Sequence, residues 1–314
     1  MMTMNLNDCA AYLKEHDGYG IVTHIRPDGD TLGCAAALCH TLRRIGKKAA
    51  ILPNPQLTET YRDWIAPYED PEALNYPHLV AVDIAAPSVF PIGFDSPVDL
   101  CIDHHPSNTG YAARTYCVPE AAACGEIIME LCKVLAGTPD METATYLYVA
   151  ISTDTGCFVY GNTTADSHRA AAELMDLGLD VKPLNVKLFR TSSYARLMLE
   201  SRIYSNLRRY HEGMVNVAII TRQMMEETGA REDDCEDLAS LAGKIDGNRI
   251  SVTIRELEDG ESKVSMRSWE FFDSNAICTR HGGGGHRMAA GFSMKASPEA
   301  VAEMLVREIE EALA

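Results

Sequence analysis

Short apolar runs alternate with longer stretches of helical spacing through the first half of the chain. Residues 20–25 (Gly-Ile-Val-Thr-His-Ile), Ala49 to Leu52, His78 to Ile84 and Val98 to Ile102 read as strands. Each is short, apolar and stopped by polar or turn-forming residues. Helical patterns lie between and after them. The first covers Asn7 to His16. In the second, Thr31 to Ile45, Leu32, Ala35, Ala36, Cys39 and Leu42 fall at core spacing and Gly46 is the stop. Others run from Ala121 to Ala136, from a cap at Asp140 to about Ser152, and from Ala165 to Leu177. This alternation predicts an α/β fold: a doubly wound parallel sheet with helices on both faces and its site at the C-terminal ends of the strands.

The pattern weakens between Asp180 and Ser193, where Pro183 interrupts it. A linker is expected over 183–196, between a first domain of residues 1–182 and a second of residues 197–314. In the second, Met214 to Ile220, Ile250 to Glu256 and Lys263 to Arg267 read as strands. Glu258-Asp259-Gly260-Glu261 reads as a hairpin turn, and Pro298 to Leu313 as a closing helix. This is a smaller α+β domain. No repeat or low-complexity segment is present.

Composition narrows the classes. The chain has 314 residues, 46% hydrophobic and 23% charged, a globular profile with room for two cores. No apolar run approaches the roughly 18–20 residues of a membrane span. The first eight residues lack the basic start and apolar block of a signal peptide, so a cytoplasmic protein without membrane association is expected. The ten cysteines are scattered, with no CxxC pair and no disulfide or zinc framework. The net charge of −17 argues against a grip on long nucleic acid, which relies on basic channels. It suits a site of carboxylates neutralised by divalent cations.

Carboxylates and imidazoles gather where predicted strands and one helix end. His24-Ile25-Arg26-Pro27-Asp28-Gly29-Asp30 is a tight Pro/Gly turn that can aim His24, Asp28 and Asp30 at one point. Asp83 ends one apolar strand, Asp103-His104-His105 ends another, and Thr153-Asp154 follows an apolar helical run. Hard oxygen ligands with some imidazole suit Mn²⁺, Mg²⁺ or Co²⁺. The ligands exceed the needs of one ion. Two ions about 3.5–4 Å apart would use them and clamp an in-line attack at phosphorus. In the second domain, His281-Gly282-Gly283-Gly284-Gly285-His286-Arg287 exposes backbone N–H groups that a phosphate can approach, and Arg267 at a strand end can fork onto one.

The series His-x-x-x-Asp-x-Asp, Asp, Asp-His-His, Thr-Asp, Arg-Ser and Gly-Gly-Gly-Gly-His resembles the DHH phosphoesterase superfamily. Within it, the chain is similar to the branch with a glycine-rich DHH-associated C-terminal domain, whose members degrade very short RNA and dephosphorylate adenosine 3′,5′-bisphosphate. The resemblance implies two Mn²⁺, with Mg²⁺ or Co²⁺ as substitutes. One ion would take His24, Asp28 and Asp83, and the other Asp30, Asp83, His104 and Asp154, with Asp83 bridging. His105 would lie beside the scissile phosphate, with Asp103 orienting an imidazole rather than binding metal. Arg267, Ser268, Gly283, Gly284, Gly285 and His286 would hold the far phosphate and base. Cys34 stands where relatives often carry Ser and is expected to pack. Trp269, Phe271 and Phe272 depart from more polar relatives; core packing is expected for them, with base stacking by one ring as the alternative.

The expected partner is a short RNA or a nucleotide. A homodimer is compatible with an apolar outer strand, although none is singled out. The same metal site would serve a cyclic-dinucleotide or linear dinucleotide phosphodiesterase. An inorganic pyrophosphatase lacks the glycine loop, and a long-strand exonuclease fits neither the acidity nor the domain count. A non-catalytic nucleotide-binding protein would be marked by a missing ligand, and none is missing.

Overall fold

A computed structural model describes residues 2–235, 238–257, 259–269 and 271–313. Met1 and Glu258, which figure in the expectations above, lie outside these. The chain divides into two compact units, Met1–Thr191 and Ser192–Ala314.

The first unit carries β1 (Met2–Thr3), β2 (Tyr19–Val22), β3 (Ala49–Ile51), β4 (His78–Val82), β5 (Leu100–Asp103) and β6 (Arg114–Cys117). They form one sheet in the order β1-β6-β5-β4-β2-β3, and every pairing is parallel. Its helices are α1 (Leu6–Glu15), α2 (Gly29–Arg44), α3 (Glu59–Ile65), α4 (Cys124–Ala136), α5 (Met141–Asp154), α6 (Ala165–Asp176) and α7 (Val181–Phe189). Strands β2 to β5 are largely apolar on both faces because both are buried, whereas the outermost β1 is exposed. The two faces are covered unequally. Tyr19, Ile21, Val80, Val82, Leu100 and Ile102 share one core with all seven helices. Val22, Ala81 and Cys101 face a smaller cluster closed by Phe90, Phe94 and Tyr111 from loops. On this face, short 3₁₀ turns replace long helices.

The weak pattern after Asp180 is helical. Asp180 caps α7 by accepting from the Lys182 N–H. Pro183 falls in the first turn, where its missing donor costs no helical bond. Val181, Leu184 and Leu188 pack on the first unit's core, so most of the expected linker belongs to that unit and only residues 190–193 connect it to the next helix.

The second unit opens with α8 (Tyr194–Ser205), followed by β7 (Arg208–Tyr210), β8 (Val215–Ile220), α9 (Arg222–Thr228), β9 (Ile250–Glu256), β10 (Ser262–Ser268), α10 (Ser274–Arg280), β11 (Gly284–His286), β12 (Ala289–Met294) and α11 (Pro298–Leu313). The sheet order is β11-β12-β10-β9-β8-β7. Among the described strands of this sheet, only β8 and β9 pair in parallel. Its inner face packs on α10 and α11; α8 and residues 238–242 cover β8 from the other side. The β9–β10 hairpin closes through Leu257 N–H to the Glu261 carbonyl, with Gly260 at φ +77. All ten cysteines are free thiols, and seven are buried. Among the described residues no helix is long and apolar enough to cross a membrane.

Candidate dinuclear metal site

The site forms where α2, α4 and α5 converge on the C-terminal ends of β2, β4 and β5. Asp28 is the N-cap of α2 and accepts from the N–H groups of Asp30 and Thr31. The Thr31 hydroxyl donates to the Val82 carbonyl at 2.9 Å and locks the helix start onto β4. Glycine sets how closely the helices meet. A Cβ on Gly29 would strike Thr153, and one on Gly33 or Gly125 would strike Ala150 of α5. These contacts bring the first turn of α2 against the start of α4 and the end of α5.

Asp30 is buried at the N-terminus of α4. Its Oδ2 accepts from Cys124 N–H at 2.7 Å and its Oδ1 from Gly125 N–H at 2.9 Å. The positive end of the helix dipole suits the carboxylate there. Cys34 donates its thiol to Asp30 Oδ1 at 3.3 Å, so it touches a candidate ligand besides packing.

Asp83 sits between two sets of ligands. It follows β4 with φ +60, a left-handed conformation uncommon outside glycine. Its Oδ2 lies 3.7 Å from His24 Nε2. Its Oδ1 lies 3.4 Å from His104 Nε2 and 3.6 Å from His105 Nδ1. That Oδ1 is buried without a hydrogen-bond partner. His24 Nε2 is also 3.5 Å from Asp28 Oδ1. His104 Nε2 is 3.9 Å from Asp30 Oδ2 and 3.8 Å from Asp154 Oδ2. The Nδ1 atoms of His24 and His104 face the carbonyls of Ile25 and Ala121 at 2.8 and 3.1 Å. A carbonyl only accepts, so each Nδ1 carries the proton and each Nε2 is turned to the carboxylates.

Asp103 is fully buried and committed elsewhere. Its Oδ1 is 2.7 Å from His105 Nδ1 and accepts the His104 N–H. Its Oδ2 accepts from Asn108 Nδ2 at 2.5 Å. Asp154, the last residue of α5, accepts from Asn162 Nδ2, which also donates to the Ala122 carbonyl.

Without a cation the cluster is electrostatically mismatched. Burial raises the pKa of Asp83. Asp30 is pushed well up by burial and by the charges of Asp83 and Asp154. Asp154 rises to about 6, chiefly through burial. Burial opposes charge on His24 and His104 too. For His24, Asp28 and Asp83 outweigh it and the pKa reaches about 9. For His104, Asp83, Asp30 and Asp154 take it to about 10. His105 is raised against its burial by Asp103 and Asp83. Asp103 is lowered despite burial by its bonds from His105 and Asn108. Divalent cations would reverse this logic.

Three sets each gather their ligand atoms within 4.8 Å: His24, Asp28 and Asp83; Asp30, His104 and Asp154; Asp83, His104 and His105. Ligands roughly 2.1 Å from a shared ion and near right angles to one another lie about 3 Å apart. Separations of 3.4–3.9 Å therefore require only a small closure. The partnerless Asp83 oxygen and the carboxylate–imidazole donor set fit hard divalent cations.

In the second unit, Arg267 and His286 both face Ala289 across adjacent strand pairings. A cavity of about 420 Å³ there is lined by Lys263, Ser265, Arg267, Gly284 and Gly291, among others. Gly283 lies against the Gly291 carbonyl and Phe292, where a Cβ would clash, and Gly285 has φ +149. Ser268 is engaged within the unit: its hydroxyl donates to the Phe272 carbonyl and accepts from Ser274. The aromatic run divides. Phe272 is core at 4% exposure, whereas Trp269 and Phe271 are 57% and 54% exposed, so core packing fails for both. Sequence reasoning missed Asn108 and Asn162, since an isolated Asn has no periodicity to mark it. It also missed Gly125, whose N–H donates to the carboxylate of Asp30, distant in sequence.

A parallel sheet that gathers carboxylates and imidazoles at its C-terminal edge, in sets sharing one aspartate, defines an α/β protein with a candidate metal site. The chain belongs to the DHH family: residues 19–151 match the DHH family N-terminal domain and residues 215–314 the DHHA1 domain. It is 34% identical to the bifunctional oligoribonuclease and PAP phosphatase NrnA of Thermus thermophilus, over 88% of this chain and 83% of that one. It is 27% identical to a probable protein of the same description from Streptococcus mutans, covering 90% and 91%. A crystal structure of an exopolyphosphatase-related protein from Bacteroides fragilis shares the fold, with TM-score 0.87, 22% identity, and coverage of 98% and 95%.

Proposed function

We propose that this chain is a cytoplasmic hydrolase that cleaves phosphoester bonds of very short oligoribonucleotides and of adenosine 3′,5′-bisphosphate, with two Mn²⁺ as its cofactors. The observation that carries the reading is Asp83. Its two oxygens face different ligand sets, and one is buried with no hydrogen-bond partner. The named activities of the NrnA relatives support the substrate class.

In this reading His24, Asp28 and Asp83 hold one ion, and Asp30, Asp83, His104 and Asp154 the other. When bound, the ions neutralise the phosphoryl oxygens and acidify a water. Asp103 holds the Nδ1 proton of His105, which leaves Nε2 to hydrogen-bond the scissile phosphate or protonate the leaving oxygen. Asn108 fixes Asp103 from behind. Within the second unit, Arg267 and the 283–286 backbone take a phosphate, and the bonded Ser268 supports the strand end.

A panel of dinucleotides, cyclic dinucleotides and adenosine 3′,5′-bisphosphate with Mn²⁺, Mg²⁺, Co²⁺ or EDTA tests this. Metal-dependent release of mononucleotide from dinucleotides and phosphate from the bisphosphate is expected. Turnover of cyclic dinucleotides alone, or no turnover of any phosphoester, overturns it.

A further inference from the structure

Alternate residues of β10 point to the sheet face away from the α10–α11 core. Val264 and Met266 are fully buried in that core, whereas Lys263, Ser265 and Arg267 are partly or largely exposed and line the cavity, which Val264 also borders. Trp269 lies two residues further in the same alternation, just past the strand end. The antiparallel register continues to it: Ser268 pairs with Ile250, and Trp269 N–H donates to the Arg249 carbonyl at 3.1 Å. Trp269 thus follows Arg267 on one face, about 6.8 Å along the strand. That separation is on the scale of phosphate to base within one nucleotide.

The indole is held and yet open. The Arg249 guanidinium lies 3.8 Å over the ring, a cation–π contact that fixes its plane, and the side chain remains 57% exposed. A rigid aromatic beside cations loses little entropy on stacking. Phe271 is also exposed, but among the described residues no cation lies over its ring.

We infer that Trp269 is a stacking platform for a nucleobase, occupied when the adjoining phosphate lies against Arg267 and the β11 backbone. The assignment rests on the nucleotide-hydrolase reading above. It makes Trp269 a specificity-determining residue: it favours ligands that carry a base over sugar phosphates, with little discrimination among bases, since every base has a π-face.

The chain has two tryptophans, so full-length Trp64→Phe protein reports on Trp269 alone. Adenosine 3′,5′-bisphosphate and the same ribose bisphosphate without its base are titrated in EDTA, so that nothing turns over. Quenching by the nucleotide and none by the base-free compound is expected. Calorimetry on Trp269→Leu, made in the otherwise unchanged chain, should show nucleotide affinity lower by about 5–100-fold, with base-free affinity unchanged; Trp269→Phe should recover most of the loss. No quenching up to the nucleotide's solubility overturns the platform, as does equal weakening of both ligands. Hydrolysis of the bisphosphate by wild-type protein, with no quenching in Trp64→Phe protein, removes the platform alone. Quenching without metal-dependent turnover removes the hydrolase reading alone.

Discussion

Replacing Asp83 with Asn separates the two things this residue does. Asn is nearly isosteric and tolerates the left-handed backbone at φ +60. It removes one carboxylate from a pocket that also holds Asp28, Asp30 and Asp154, where burial raises the Asp83 pKa. The metal-free protein should therefore be as stable as wild type or more so. Binding of ions is where the loss falls. An ion present at a hundred times its Kd stabilises by about 2.7 kcal/mol. For a folding unit of this size, residues 1–191, each kcal/mol moves Tm by about 2–4 °C. Each ion is then worth about 5–11 °C. If Asp83 joins both ions, Asp83→Asn abolishes nearly the whole metal-induced shift, whereas Asp28→Asn, which touches one set, removes about half. Trp64 packs on the first unit's core, so its fluorescence in a Trp269→Phe background follows that unit alone. Equilibrium dialysis gives the ion count. Two ions per chain with a full Tm shift in Asp83→Asn would refute the sharing, and so would equal losses in the two variants.

Three further outcomes follow from the geometry. Gly125→Ala places a methyl against Ala150 and Ile151; overpacking should cost about 1–3 kcal/mol by urea denaturation, and wild-type stability would show that α4 and α5 are less tightly apposed than described. Asn162→Ala removes the donor to Asp154 and to the Ala122 carbonyl; affinity for the ion at Asp30, His104 and Asp154 should fall about 10–100-fold, while the other ion is retained, and equal loss of both would sink the assignment. In EDTA, stability of the first unit should fall as pH rises. Asp154, raised from 3.8 to about 6, binds more protons folded than unfolded between those values, so its contribution is lost there. His24 and His104, raised from 6.5 to about 9 and about 10, stabilise fully below 6.5 and lose that contribution as pH climbs through 9–10. Both effects share a sign, and an EDTA-treated Tm that rises from pH 5 to 9 would contradict them.

Much of this site was legible because its chemistry interrupts apolar strands. Asp83 and Asp103-His104-His105 stand out for that reason: a buried strand tolerates charge only where it emerges. The same reasoning erred wherever a residue has two meanings that only packing separates. Pro183 reads as a break, but it falls in the first turn of α7, where proline is harmless. Trp269, Phe271 and Phe272 read alike in one dimension, yet the chain turns after β10 and buries only the last. Ser268 follows Arg267 in sequence, but alternation along the strand turns the Ser268 hydroxyl inward to Phe272 and Ser274.

The gathering of the ligands themselves had no local signal. Gly29, Gly33 and Gly125 are ordinary residues in sequence, and glycine inside a helical pattern ordinarily lowers its propensity. Their role depends on what lies opposite. Thr153 and Ala150 occupy the space that side chains at these positions would need. Larger residues would hold α2 and α4 away from α5. Asp30 would then lose the Cys124 and Gly125 N–H groups that fix it, and Asp154 would retreat from His104. The candidate ion ligands are thus marked in the sequence by their chemistry, while the residues that bring them within reach of one another are marked only by the absence of a side chain.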